Sequence, residues 1–132
     1  MLTAVDSSVL LDVIVDAPGR AAAAEKSLRL ATSEGGLVIC ECVVAEVRPA
    51  LSEKAFREFA GDWRLGFVPL SWESALLAGG LFETYLEPGG RSGRVVADFL
   101  IGAHALLQAD RLLARDRGYF RDYFKGLKLL SP

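Results

Sequence analysis

Four acidic side chains in this sequence stand where they could share one task. Asp6 closes the apolar run Leu2 to Val5, and Glu46 lies inside VVAEV. Asp98 precedes FLIGAHALL, and Asp116 follows RLLA. A carboxylate among such neighbours is costly unless something stabilises its charge. Asp98 alone reads equally well as a helix N-cap or first-turn acid. A set of four is different, because two carboxylates about 4 Å apart repel by roughly 4 kcal/mol at an effective dielectric near 20. Such a cluster needs protons or cations to neutralise it. Oxygen ligands without nitrogen or thiolate suit Mg²⁺ or Mn²⁺. An ion of that kind can activate water and steady the charge on a phosphodiester during in-line displacement.

The elements that must position these acids follow from the apolar pattern. Leu2 to Val5, LVIC, GFVPL and RLLA read as short buried strands, with LKLL near the end as a fifth. The proline of GFVPL suits an edge or a strand end. Between them lie helical patterns: SSVLLDVIV, capped by Ser7 or Ser8; RAAAAEKSLRLATSEG, stopping at Gly35-Gly36; a stretch from VVAEV that breaks near Pro49; and SEKAFREFAGDW, capped by Ser52. SWESALLAGGLFETYLEPGG is a further helix, weakened at Gly79-Gly80, and residues 95–109 form the last, after the loop at 89–93. Short strands alternating with helices predict an α/β fold, a mainly parallel sheet of four to five strands covered on both faces. Ligand sites in such sheets form beyond the carboxyl ends of the strands. Asp6 follows the first strand directly, Asp116 follows the fourth, Asp98 starts the helix leading into strand four, and Glu46 is expected in the first turn or so of the helix after strand two. The four then converge on one rim.

The chain has 132 residues, enough for a single domain over 1–132, with 52% hydrophobic and 24% charged side chains. The uncharged run Phe99 to Gln108 is about half the length a membrane span needs. The N-terminus lacks the basic region of a signal peptide, which predicts a cytoplasmic protein with no membrane partner. Cys40 and Cys42 form a C-x-C pair, a poor zinc site without further ligands, and read as ordinary buried thiols. Net charge is −2, which excludes a generally basic nucleic-acid coat, but the distribution is uneven. Residues 1–90 hold 7 basic and 13 acidic side chains, whereas residues 91–132 hold 8 basic and 4 acidic. That asymmetry allows a local phosphate-attracting surface or, equally, a solvated helix face. Asp12 and Asp16 are expected to face solvent and Asp110 to lie in a turn; Asp122 could approach the site. His104, six residues after Asp98, points roughly 120° away from it on a helix and reads as a partly buried structural residue. No P-loop, nucleophile elbow or dinucleotide fingerprint is present.

AVDSSVLLD, VVAEV, DFLIGAHALL and LLARDRGYF, taken in order, resemble the four acidic motifs of PIN-domain ribonucleases, and most closely the VapC-type toxins of toxin–antitoxin pairs. The resemblance spans nearly the whole chain. It implies a PIN-like fold and an Mg²⁺- or Mn²⁺-dependent endoribonuclease acting on structured or translational RNA. It implies Asp6, Glu46, Asp98 and Asp116 as the catalytic, metal-holding acids, with Ser8 as the small polar residue supporting the first. It also implies a homodimer and inhibition by a small cognate antitoxin. One departure is Ala114, two residues before the fourth acid, where the family often carries Thr or Ser.

Two other readings follow from the same residues. One is a catalytically weak or inactive PIN-like module that only binds protein or RNA, favoured by Ala114 and by apolar surface on helices 20–34 and 72–87. The other is a phosphoaspartyl enzyme, disfavoured because Ser8 stands where a second acid is needed. Arg115 and Arg117 flank the fourth acid and are the best candidates for contacting RNA phosphates, ahead of Arg91, Arg94 and Arg121. Pairing with acids at the rim is the alternative for them.

Overall fold

The computed structural model describes residues 1–89, 95–115 and 118–132. Five strands form one sheet: β1 (Thr3–Val5), β2 (Leu37–Ile39), β3 (Leu65–Phe67), β4 (Arg111–Leu113) and β5 (Leu129–Leu130). Their order is β3-β2-β1-β4-β5, and every pairing is parallel. Ala4 of β1 registers with Val38 on one side and Leu112 on the other. Parallel strands need both faces covered, and β1 and β2 are accordingly buried throughout.

Seven helices among the described residues flank the sheet: α1 (Ser7–Ile14), α2 (Ala21–Glu34), α3 (Glu41–Val47), α4 (Glu53–Asp62), α5 (Trp72–Leu86), α6 (Val96–Gln108) and α7 (Tyr119–Tyr123). A 3₁₀ turn over Arg48–Ala50 continues α3, with Pro49 at its start, as the break near that proline predicts. Ser52 caps α4 by accepting from the Ala55 N–H at 3.1 Å. At the end of α2, Gly35 (φ 157°) lies against the Met1 backbone, where a Cβ would come within 1.8 Å of the Met1 carbonyl. Only glycine fits this close approach between the N-terminal segment and the entry to β2.

Several expectations need correction. Neither Ser7 nor Ser8 occupies the N-cap of α1; Asp6 does, and both serines lie inside the first turn. The expected long helix through Gly79-Gly80 is present as α5, whose packing against α6 outweighs two weak helix formers. Asp12 does not face solvent: it is 4% exposed. The short helix α7 was not expected, since five residues carry too little periodicity to read. It is held by rings: Tyr119 lies edge-on to Tyr85 at 5.7 Å, and Phe99 meets Tyr123 at 5.3 Å.

Candidate active site

The chain leaves β1 in the middle of the sheet, builds β2 and β3 outward on one side, then returns to place β4 against β1 on the other. The order therefore reverses between β1 and β4, and the carboxyl ends of these two strands border a switch-point crevice. Asp6 follows β1 directly and donates its backbone N–H to the Leu113 carbonyl at 2.9 Å, so this corner is tied to the end of β4. A cavity of about 340 Å³ opens here, lined by Asp6, Ser7, Ser8, Leu11, Glu46, Asp98, Arg115, Tyr119 and Phe120. Three of the four expected acids thus share one pocket, although they come from three elements. Asp116 and Arg117 lie outside the described residues, as do Arg91 and Arg94.

Each acid is held differently. Asp6 is 6% exposed, and one carboxylate oxygen, Oδ2, accepts from the Ser8 hydroxyl. Glu46 is in the last turn of α3, not its first; the first-turn acid is Glu41. The cause is the early start of that helix at Glu41, directly after β2, which makes VVAEV its second half. Glu46 still reaches the pocket, where its Oε1 accepts from the Ser7 hydroxyl at 2.9 Å. Asp98 lies in the first turn of α6, where the free backbone N–H groups favour a negative charge. The two serines were candidates for a cap, yet their hydroxyls turn to two different acids. Tyr119 and Phe120 also line the pocket, and no periodicity in the sequence points to them.

The donor set consists of carboxylate and hydroxyl oxygens, which suits a hard divalent cation. Among the described residues, no three His, Cys, Asp or Glu side chains come together closely enough to hold an ion. Mg²⁺ does not require that: it keeps several waters and is usually held through one or two carboxylates. The residues present therefore fit such an ion.

The remaining candidates stay outside the pocket. Asp122 is exposed and pairs with its neighbour Arg121 at 3.2 Å. Asp110 follows α6 and accepts from the Leu2 N–H at 2.6 Å, in the turn where it was expected. His104 is 1% exposed, and its Nε2 donates to the Val68 carbonyl at 2.8 Å. Burial is the main reason its pKa falls below the ordinary histidine value. Cys40 is buried and Cys42 partly so, both as free thiols. The hydrogen bond from Cys42 is the main reason the Cys40 thiol titrates below its usual range. Ala114 is fully buried and does not line the cavity, so its missing hydroxyl leaves the pocket wall unchanged.

Arg115 lines the cavity as well, with Nε 3.0 Å from Oδ2 of Asp12. Asp12 lies one turn after Ser8 on α1, and its other oxygen is 3.7 Å from Nε of Arg20. The acid expected in solvent is therefore the inner partner of an arginine in the pocket wall.

The family model of the PIN domain matches residues 3–125. This chain belongs to the PIN domain family. PIN domains form a family of nucleases that generally use divalent metal ions. Among solved structures, this PIN domain is similar to VapBC2 from Rickettsia felis bound to a DNA fragment from its promoter, with a TM-score of 0.74 and 20% identity over 100% of this chain and 99% of that one. It is similar to DNA-bound VapBC from Salmonella typhimurium, at TM-score 0.71 and 17% identity over 99% and 98% of the two chains. It is also similar to VapBC-1 from nontypeable Haemophilus influenzae, at TM-score 0.71 and 18% identity with the same coverage. At such identities the likeness is one of fold. No curated protein sequence matches the chain. Among the described residues, no helix is long and apolar enough to cross a membrane.

Proposed function

We propose that this PIN domain is a VapC-type toxin, an Mg²⁺- or Mn²⁺-dependent endoribonuclease that a cognate antitoxin holds inactive. The observation that carries the reading is the meeting of Asp6, Glu46 and Asp98 in one pocket at the switch point between β1 and β4. Asp116, the next residue but one after Ala114 at the end of β4, is the fourth member by sequence. Asp6 and Asp98, with Glu46 and Asp116, would hold the ion. The ion supplies an activated water and neutralises charge on the phosphodiester. The chain's own residues do the rest. Ser8 orients the Asp6 carboxylate, Ser7 orients Glu46, and Arg115 offers a cation at the rim to an RNA phosphate. Arg117 follows the fourth acid and is the second candidate for that contact.

The antitoxin rests on the VapBC complexes to which the fold is similar. A homodimer and a cytoplasmic setting belong to the same reading. The decisive experiment incubates purified chain with total RNA and Mg²⁺ or Mn²⁺. Cleavage that is lost with EDTA, and lost again in Asp98→Asn, supports the reading. Cleavage that survives excess EDTA overturns it.

A further inference from the structure

Asp12 has no part in the chemistry just described, yet it is a buried carboxylate, with only 5% of its side chain exposed. Its two oxygens face two guanidinium groups from different parts of the chain, Arg20 and Arg115. The Arg20 side chain is 56% exposed, so water screens it. The Arg115 side chain is 31% exposed and packs inward. Among the described residues, neither Asp12 Oδ2 nor Arg115 Nε finds an aligned hydrogen bond, so their 3.0 Å approach is a contact of charge with charge.

Arg115 therefore meets two sources of negative potential: Asp12, which it touches, and Asp6, Glu46 and Asp98, which line the same cavity. An arginine has a long flexible stem, and a set of carboxylates attracts it as it attracts any cation.

We propose that Asp12 is a positioning residue: it holds Arg115 in the pocket wall so that the arginine does not occupy the acidic centre in place of a divalent ion. The inference rests on the metal-site reading above. Asp12 touches neither ion nor substrate and acts only through Arg115.

The test is calorimetric titration of Mn²⁺ into the metal-free full chain. Asp12→Asn should weaken Mn²⁺ binding by at least about tenfold, the scale on which groups behind a metal's ligands act. Arg115→Gln alone should bind Mn²⁺ no more weakly than wild type, because it removes a cation from the pocket wall. The double variant Asp12→Asn/Arg115→Gln should recover what Asp12→Asn loses, a rescue that simple loss of packing would not give. Folded Asp12→Asn with wild-type affinity overturns the inference, as does a double variant as weak as the single one. If Asp12→Asn does not fold by circular dichroism, Asp12→Ser takes its place: a loss of about tenfold supports the latch, and wild-type affinity overturns it. Two controls separate this inference from its foundation. Wild type that takes up no Mn²⁺, or Asp6→Asn that binds it undiminished, removes the metal site and the latch together. With both controls normal, only the role of Asp12 is at stake.

Discussion

Ser7 and Ser8 are adjacent in the chain, yet they serve different acids, Glu46 and Asp6. Each hydroxyl fixes one carboxylate oxygen of the acid it serves. Ser8→Ala should therefore lower cleavage by about 10- to 100-fold, the usual cost of losing a group that orients a ligand; initial rates on a defined RNA at saturating Mn²⁺ measure it. Asp6→Asn should abolish cleavage and also raise the melting midpoint of the metal-free protein by a few degrees, because relieving roughly 1 kcal/mol of repulsion moves Tm on that scale. A midpoint that falls would mean Asp6 is needed for folding. His104 gives a pH dependence of the opposite origin. Its folded pKa is depressed by burial, so between that value and about 6.5 the unfolded chain binds the extra proton. Stability should hold above pH 7 and fall as pH drops through 6.5, by at most about 1.4 kcal/mol per pH unit. Urea midpoints for wild type and His104→Gln should show a slope that the variant loses. At this scale Asp6 and Asp98 were legible because each abuts a strand end or a helix start, whereas Glu46 lies at the far end of its helix from where the sequence puts it. The Ser7–Glu46 bond, the burial of Asp12 and the place of Tyr119 were not, because each depends on segments far apart in sequence.

Helix α6 carries Asp98 at one end and makes the floor of the core along its length, and its glycine shows how tightly it is held. A Cβ on Gly102 would come within 2.6 Å of the Phe124 ring. Gly102→Ala should thus destabilise by about 1–3 kcal/mol through overpacking, outweighing the better helix propensity of alanine. Gly79 and Gly80 on α5 meet nothing within 4 Å. Gly79→Ala should instead stabilise, by about 0.5–1 kcal/mol, as an exposed helix glycine allows. Denaturant melts of the two variants should move in opposite directions. The same contrast explains what could be read of the elements. The five strands announce themselves as short apolar runs, and the long helices as 3.6-residue patterns ending at glycine or capped by serine. Element ends were harder. The sequence places Glu46 near the start of its helix, because Glu41 and Cys42 give no cap signal that α3 begins there. For α7, the six-ring cluster of Phe82, Tyr85, Phe99, Tyr119, Tyr123 and Phe124 supplies the order that local propensity lacks.

For the whole molecule, an acidic pocket in a chain of net charge −2 means that cation binding and stability are linked. Mn²⁺ at a hundred times its dissociation constant should raise stability by about 2.7 kcal/mol, reversibly with EDTA. Thermal melts of wild type and Asp98→Asn, with and without the ion, check it; an equal shift in both would place the binding elsewhere. The central position of β1 has a consequence in time. β1 is made before the other four strands but is flanked by β2 and β4, and its second neighbour is synthesised more than a hundred residues later. Until Arg111–Leu113 emerges from the exit tunnel, the pocket lacks one wall. On the reading proposed above, a nascent chain therefore gains no power to cut until β4 has been made.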